Sequence, residues 1–102
     1  MYLQPNLTQN GNCVKLDFMQ IHSPMLYNRI GDARPIVRRL GDANLYKLYA
    51  NCVQIWAQLD GELVECRRRG RVTQKYTELA TKLDETLVVL EQQLTFGTLL
   101  KM

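Results

Sequence analysis

The most regular pattern along the chain is a series of apolar residues at alternating three- and four-residue intervals between residues 42 and 69. The series consists of Leu45, Leu48, Cys52, Ile55 and Leu59. Such spacing puts these side chains on one face of a helix and has the heptad form typical of helices that pack side by side. Asp42 is a favourable N-cap, and the spacing predicts one helix of about 42 Å that ends at Arg69, with a bend or break at Gly61 as the alternative.

A second apolar series follows Gly70, a residue type suited to the end of a helix. Its members are Tyr76, Ala80, Leu83, Leu87, Leu90 and Leu94. Thr73 is a suitable cap for a helix that contains them and ends near Gly97. Because only a short turn joins the two segments, the sequence predicts a long antiparallel helical hairpin over residues 41–97, with residues 98–102 as a tail.

The N-terminal part of the chain lacks this regularity. Residues 1–22 are expected to form a mobile or extended arm, in which alternating apolar residues around Val14 favour a short strand or, alternatively, a helical turn. Residues 23–40 are predicted to form two short basic helices with a break at Gly31 and Asp32. The predicted fold class is therefore all-α, with short N-terminal helices followed by the hairpin.

A second apolar stripe lies beside the hairpin seam and predicts self-association. It consists of Tyr49, Val53, Trp56, Val88 and Val89. Two helices alone leave such a flank open to water, and the short N-terminal helices cover only part of it. Because exposed apolar surface of this kind marks an interface, we expect a homo-oligomer that associates through these five residues.

Composition narrows the class of protein without indicating a function. The chain has 102 residues, 46% of them hydrophobic, and a formal net charge of +3, which fits one globular domain. The longest strongly apolar run, Leu87 to Leu90, is too short to span a bilayer, and the first residues do not resemble a signal peptide. We therefore expect no membrane partner, a cytoplasmic location and reduced cysteines.

The sequence contains no arrangement of residues typical of an enzyme. The single histidine, His22, has no glycine-framed serine to act with, and no glycine-rich phosphate-binding pattern is present. The acidic group of Asp60, Glu62 and Glu65 lacks accompanying histidines and is more typical of a solvated helix face than of a metal site. The sequence thus predicts a protein that is not an enzyme and uses no cofactor or metal.

Basic residues, by contrast, are concentrated in two regions. Residues 67–75 contain five Lys or Arg and no acidic residue, and another basic group lies in residues 23–40. Cations near a helix C-terminus offset the helix dipole, whereas a surplus of them suits phosphates or an acidic partner surface, and both interpretations stay open. The candidate DNA-binding residues are Arg29, Arg34, Arg38, Arg39, Arg67, Arg68, Arg69, Arg71 and Lys75.

Part of the chain resembles a known family. The stretch LGDANLYKLYA of residues 40–50 and the IWAQL of residues 55–59 resemble the central helix of small terminase subunits of tailed bacteriophages. Residues 94–98 resemble the C-terminal ending of some members. The resemblance implies a DNA-packaging adaptor, a ring of subunits in the bacterial host cytoplasm that binds viral duplex DNA and regulates the large terminase subunit. It also implies that basic residues of the N-terminal helical part contact DNA.

Two other functions fit the same sequence. One is a helical structural or protein-interaction adaptor that does not bind DNA and whose exposed seam receives a partner helix. The other is a small transcription regulator that uses residues 24–40 as a helix-turn-helix. The oligomeric state and the presence or absence of DNA affinity separate these three hypotheses.

Overall fold

A computed structural model describes the backbone of residues 11–101 and the side chains of residues 22–100. This part of the chain consists of three α-helices and contains no strand: α1 (Gly11–Leu40), α2 (Ala43–Arg69) and α3 (Gln74–Lys101). Each helix packs against both of the others, because each has one continuous apolar face. The predicted all-α class is confirmed.

α1 differs most from the sequence prediction. Residues 11–22 are helical rather than an extended arm or a strand, and the helix continues without a break through Gly31 and Asp32. Pro24 and Pro35 lie inside it, although an internal proline removes a backbone donor and crowds the preceding turn. The prediction of two short helices is therefore wrong. The predicted arm over residues 1–10 lies outside the described residues.

Tertiary packing explains why α1 is continuous. Its buried apolar residues form one series at helical spacing: Leu26, Ile30, Ala33, Val37 and Leu40. The series passes through Gly31 and Asp32 on a single face, so its burial requires one helix rather than two. An internal glycine costs about 1 kcal/mol of helix stability, whereas burial of each large apolar side chain contributes about 1.5–3 kcal/mol.

α3 extends past its predicted end at Gly97, so residues 98–101 form helix rather than a tail. Among the described residues, a glycine with positive φ occurs only at Gly41 and Gly70, and Gly97 therefore does not reverse the chain. A Cβ atom at Gly97 would lie 3.1 Å from Leu40 Cδ1. This glycine allows the end of α1 to approach α3 closely.

The helix ends carry the caps that the sequence predicts. Asp42 Oδ1 accepts a hydrogen bond from the backbone N–H of Asn44 at 2.8 Å, and Gly70 closes α2 with a left-handed φ of 71°. Thr73 Oγ1 accepts a bond from the backbone N–H of Tyr76 at 3.2 Å. These contacts satisfy terminal backbone groups that have no partner inside their own helix.

Contacts between the helices determine their relative directions. Ser23 Oγ and Tyr76 Oη lie 3.0 Å apart near the start of α3, whereas Leu40 meets Gly97 near its end. α1 and α3 therefore run in the same direction, and α2, which connects them through short turns, runs in the opposite direction. The side chains buried most completely between the three helices are Leu26, Cys52, Leu59, Cys66, Leu83, Leu87 and Leu90.

Candidate nucleic-acid interface

Three arginines form a cluster at the C-terminal end of α1. Arg34, Arg38 and Arg39 are exposed and, with Pro35, line an open surface hollow. Within the described part of the chain, no carboxylate lies within 4.0 Å of any of the three. Arg38 and Arg39 lie in the last turn of α1, where a positive charge offsets the negative end of the helix dipole. This interaction leaves the hydrogen-bond donors of their guanidinium groups available. We call these three residues the α1 arginine cluster.

Two tyrosines of α2 lie beside the α1 arginine cluster. Tyr46 and Tyr49 line a small cavity together with Arg34 and Arg38. The two tyrosine rings are 6.4 Å apart, centroid to centroid, and tilted by 45°. Tyr46 is 63% exposed. Arginines that contact phosphates beside exposed aromatic rings are a combination found on nucleic-acid-binding surfaces.

The second basic region, at the end of α2, retains less free charge than its sequence indicates. Arg68 and Arg69 both form ion pairs with Glu65, and their hydrogen bonds, that of Arg68 first, lower the pKa of Glu65 to about 2. Arg67, Arg71 and Lys75 have no carboxylate within 4.0 Å among the described residues.

Arg29, also a candidate for DNA contact, is used inside the molecule. Its guanidinium contacts Glu91 at 2.8 Å and Asp84 at 2.7 Å, both on α3. The hydrogen bond to Glu91 is the main cause that raises the pKa of Arg29 above its ordinary range. Because two carboxylates already neutralise this cation, Arg29 contributes to the docking of α1 on α3 rather than to a free basic surface.

The two basic regions lie at opposite ends of the helix bundle. The α1 arginine cluster is next to the start of α2, and Arg67 is in its last turn. A helix of 27 residues is about 40 Å long. The two basic regions predicted from the sequence are therefore about the length of α2 apart.

The predicted interface residues also divide into two groups. Tyr49 and Trp56 are half-buried against the core, and the Trp56 ring lies 5.4 Å from that of Tyr27 on α1. Val53 is 39% exposed and lines the small cavity that contains Tyr49, between α1 and α2. Val88 and Val89 are 40% and 42% exposed, and they lie on α3, away from that cavity.

Three further apolar residues on α3 were missed by the sequence reasoning. Phe96, Leu99 and Leu100 are 63%, 62% and 72% exposed. The sequence places them in a helix end and a tail, because glycine at position 97 favours the end of a helix. The spacing of Val89, Phe96 and Leu100 indicates a common face only for a helix that continues past Gly97.

The two described cysteines are packed in the core. Cys52 and Cys66 are free and buried, and burial raises the pKa of the Cys52 thiol to about 11.

The described side chains include no cluster of three or more His, Cys, Asp or Glu that could hold a metal ion. Within the same part of the chain, no helix is sufficiently long and apolar to cross a membrane.

Comparisons with known proteins add no family to these observations. No family model, no curated protein and no solved structure matches the chain.

Proposed function

We propose that the chain is a DNA-binding protein without enzymatic activity, of the small terminase type. In this proposal its α2–α3 hairpin is the framework of a homo-oligomer, and the oligomer presents viral duplex DNA to a large terminase subunit in the bacterial host cytoplasm. The α1 arginine cluster makes the principal contact with DNA phosphates.

The observation that carries the proposal is the exposure of three arginines that have no acidic partner. Arg29 is neutralised by Glu91, and Arg68 and Arg69 by Glu65. Arg34, Arg38 and Arg39 lack such partners among the described residues. Planar guanidinium groups bind phosphates through two hydrogen bonds at once, and neutralised phosphates release counterions on binding.

One chain alone supplies too few contacts for tight binding. Each phosphate contact makes the fall of log K with log salt steeper by only about 0.9, and the cluster offers three cations. An oligomer repeats the cluster once per subunit, so that contacts which are weak singly act together on one DNA molecule. This multiplication is why the proposal joins DNA binding to self-association.

A charge-reversal experiment tests the proposal. The double variant Arg38→Glu/Arg39→Glu should weaken binding to a duplex of about 30 base pairs at least tenfold in a gel-shift titration at low salt. Lys82→Glu, an exposed charge reversal on α3, is the control and should change the affinity less than threefold. Melting curves followed by circular dichroism verify that each variant is folded. An unaltered chain that does not bind duplex DNA at low salt contradicts the proposal.

A second candidate function is a helical adaptor that binds another protein and not DNA. The observation that favours it is the exposed apolar surface of α3, which includes Phe96. This function would be favoured if the chain did not bind DNA in the same titration but bound another protein through the α3 surface. The third hypothesis, a helix-turn-helix within residues 24–40, loses its basis because no turn interrupts α1 at Gly31.

A further inference from the structure

The last four turns of α3 expose large apolar side chains, most of them on the side that faces away from α1 and α2, while Leu99 at the edge also borders a hollow lined by Ile36 of α1. These residues are Val88, Val89, Phe96, Leu99 and Leu100, with exposures between 40% and 72%. At about 100° of rotation per residue they fall within an arc of about 120°. The leucines that α3 buries, such as Leu87 and Leu90, lie on the opposite face. With Gln92 between them, these exposed residues form what we call the α3 stripe.

The α3 stripe contains no charged residue. Between residues 88 and 100 the only charged side chain is Glu91, and it points toward α1, where it pairs with Arg29. Covering the stripe therefore requires no charge to be taken out of water. The N-terminal half of the same face is polar, with Glu78, Lys82 and Glu85 exposed, so the apolar surface is confined to the C-terminal half.

We infer that the α3 stripe is covered by the same stripe of a second copy, with the two α3 helices antiparallel about a two-fold axis. A two-fold interface requires a surface that is complementary to itself. The positions of the stripe are symmetric about residue 94: 88 corresponds to 100, 89 to 99 and 92 to 96. In antiparallel pairing Val89 of one copy meets Leu99 of the other, and Gln92 meets Phe96.

The exposed area agrees with a dimer of moderate stability. An aromatic side chain buries about 150–250 Å² and an aliphatic one somewhat less, so the exposed fractions of the stripe correspond to roughly 500 Å² per copy. A pair then buries on the order of 1,000 Å², near the lower limit for a specific interface. The apolar content of the stripe is high for that size, which favours association.

This inference rests on the self-association in the proposed function and makes it more specific. The inference places the principal contact between copies on α3. Tyr49 and Trp56, which the sequence predicts at the interface, instead pack against the core of their own chain. A two-fold pair is also a unit from which a larger assembly can be built. The α1 arginine cluster, which contacts DNA in the proposed function, includes no residue of the α3 stripe.

Mass measurement by light scattering over a range of concentrations tests the inference. The unaltered chain should be dimeric or larger, and Phe96→Glu should raise the dissociation constant about 30-fold or more, as expected for a central contact. Val64→Glu on α2 is the matched control, since Val64 is 62% exposed against 63% for Phe96, and it should leave the constant unchanged. If Phe96→Glu proves unfolded, Gln92→Lys is the second test, because it removes no apolar side chain. It should also raise the dissociation constant.

Disulfide cross-linking tests the antiparallel direction. In a Cys13→Ser background, a mixture of Val89→Cys and Leu99→Cys chains should form mixed dimers on oxidation, while each variant alone should form few. Parallel pairing would instead cross-link each variant with itself, because a disulfide needs Cα atoms within about 7 Å. Two equivalent Val89 residues in the antiparallel pair are about 15 Å apart along the helix axis.

The outcomes separate this inference from the proposed function. An oligomer that Phe96→Glu and Gln92→Lys leave intact, or homodimeric cross-links of each variant alone, would overturn the inference while the proposed oligomer stands. A chain that is monomeric at all concentrations would overturn both the inference and the proposed self-association. The gel-shift titration reports DNA binding separately in every case.

Discussion

Arg29 of α1 and Glu91 of α3 form a two-point ion pair, in which Arg29 Nε and Nη2 lie 2.9 and 2.8 Å from the two oxygens of one carboxylate. Asp84 accepts a third hydrogen bond from Nη1 at 2.7 Å. These contacts connect residues 62 and 55 positions apart in the sequence, and they help to hold α1 along α3. They also distinguish Arg29 from the arginines of the α1 cluster, which have no such partners among the described residues.

Replacing Arg29 should destabilise the bundle. Arg29→Met keeps the apolar stem but removes all three hydrogen bonds, so the free energy of unfolding should fall by about 1–2 kcal/mol, less than for a fully buried pair because the charges are partly solvated. Arg39→Met, on the exposed cluster, should change it by less than about 0.5 kcal/mol. Urea denaturation measures both, and equal effects of the two variants would contradict this role of Arg29.

Gly61 and Gly97, two of the glycines inside helices, should respond differently to alanine. A Cβ atom at Gly61 meets nothing within 4 Å, so Gly61→Ala should stabilise α2 by about 0.5–1 kcal/mol and raise the melting temperature by several degrees. At Gly97 the added Cβ would press on Leu40 and cancel this gain. A melting temperature that rises as much for Gly97→Ala as for Gly61→Ala would show that α1 and α3 are not in close contact there.

Thr73 should be important for the turn between α2 and α3. Its Oγ1 donates a hydrogen bond to Glu62 and accepts one from the backbone N–H of Tyr76, and the residue is buried. Loss of this cap in Thr73→Ala should cost about 1–2 kcal/mol in denaturant unfolding. Thr73→Ser keeps the hydroxyl and should retain most of the stability; a serine variant as unstable as the alanine variant would assign the effect to the lost methyl group instead.

Cys52 should make stability depend on pH in the alkaline range. Burial raises the pKa of its thiol from 9.0 to about 11, because the folded core disfavours the thiolate. The neutral Cys52 thiol stabilises the fold fully below pH 9, and this stabilisation is lost as the pH rises toward 11. The free energy of unfolding then falls by at most about 1.4 kcal/mol per pH unit. Unfolding free energies measured from pH 8 to 11 should therefore fall more steeply for the unaltered chain than for Cys52→Ala. Parallel curves for the two proteins would refute this.

The sequence predicts the local features of the fold better than the long-range ones. Asp42, Gly70 and Thr73 occupy their predicted helix ends because capping depends on residue type and immediate neighbours. α1 differs from its prediction because Pro24 favours the start of a helix and Gly31 its end, whereas the energy that keeps this helix continuous comes from contacts with distant residues. The series from Leu26 to Leu40 contains that information, but only when the apolar face is followed across Gly31.

The candidate site shows the same limit. Sequence reasoning found the basic residues, yet whether an arginine is free or paired depends on residues far along the chain. Arg29 meets Asp84 and Glu91 only after folding, and so its use inside the bundle was not predictable from local charge. The exposure of Phe96 likewise depends on a helix that continues past Gly97, because the close contact with Leu40 makes that glycine a packing residue.

The salt dependence of DNA affinity tests the central claim most directly. If the α1 arginine cluster binds phosphates, log K should fall less steeply with log salt in Arg38→Gln/Arg39→Gln, by about 2 in slope per bound subunit. Fluorescence anisotropy with a labelled duplex measures this slope. Lys82→Gln should leave the slope unchanged. An identical slope for the unaltered chain and the double variant, or no affinity in the unaltered chain at low salt, would contradict the account.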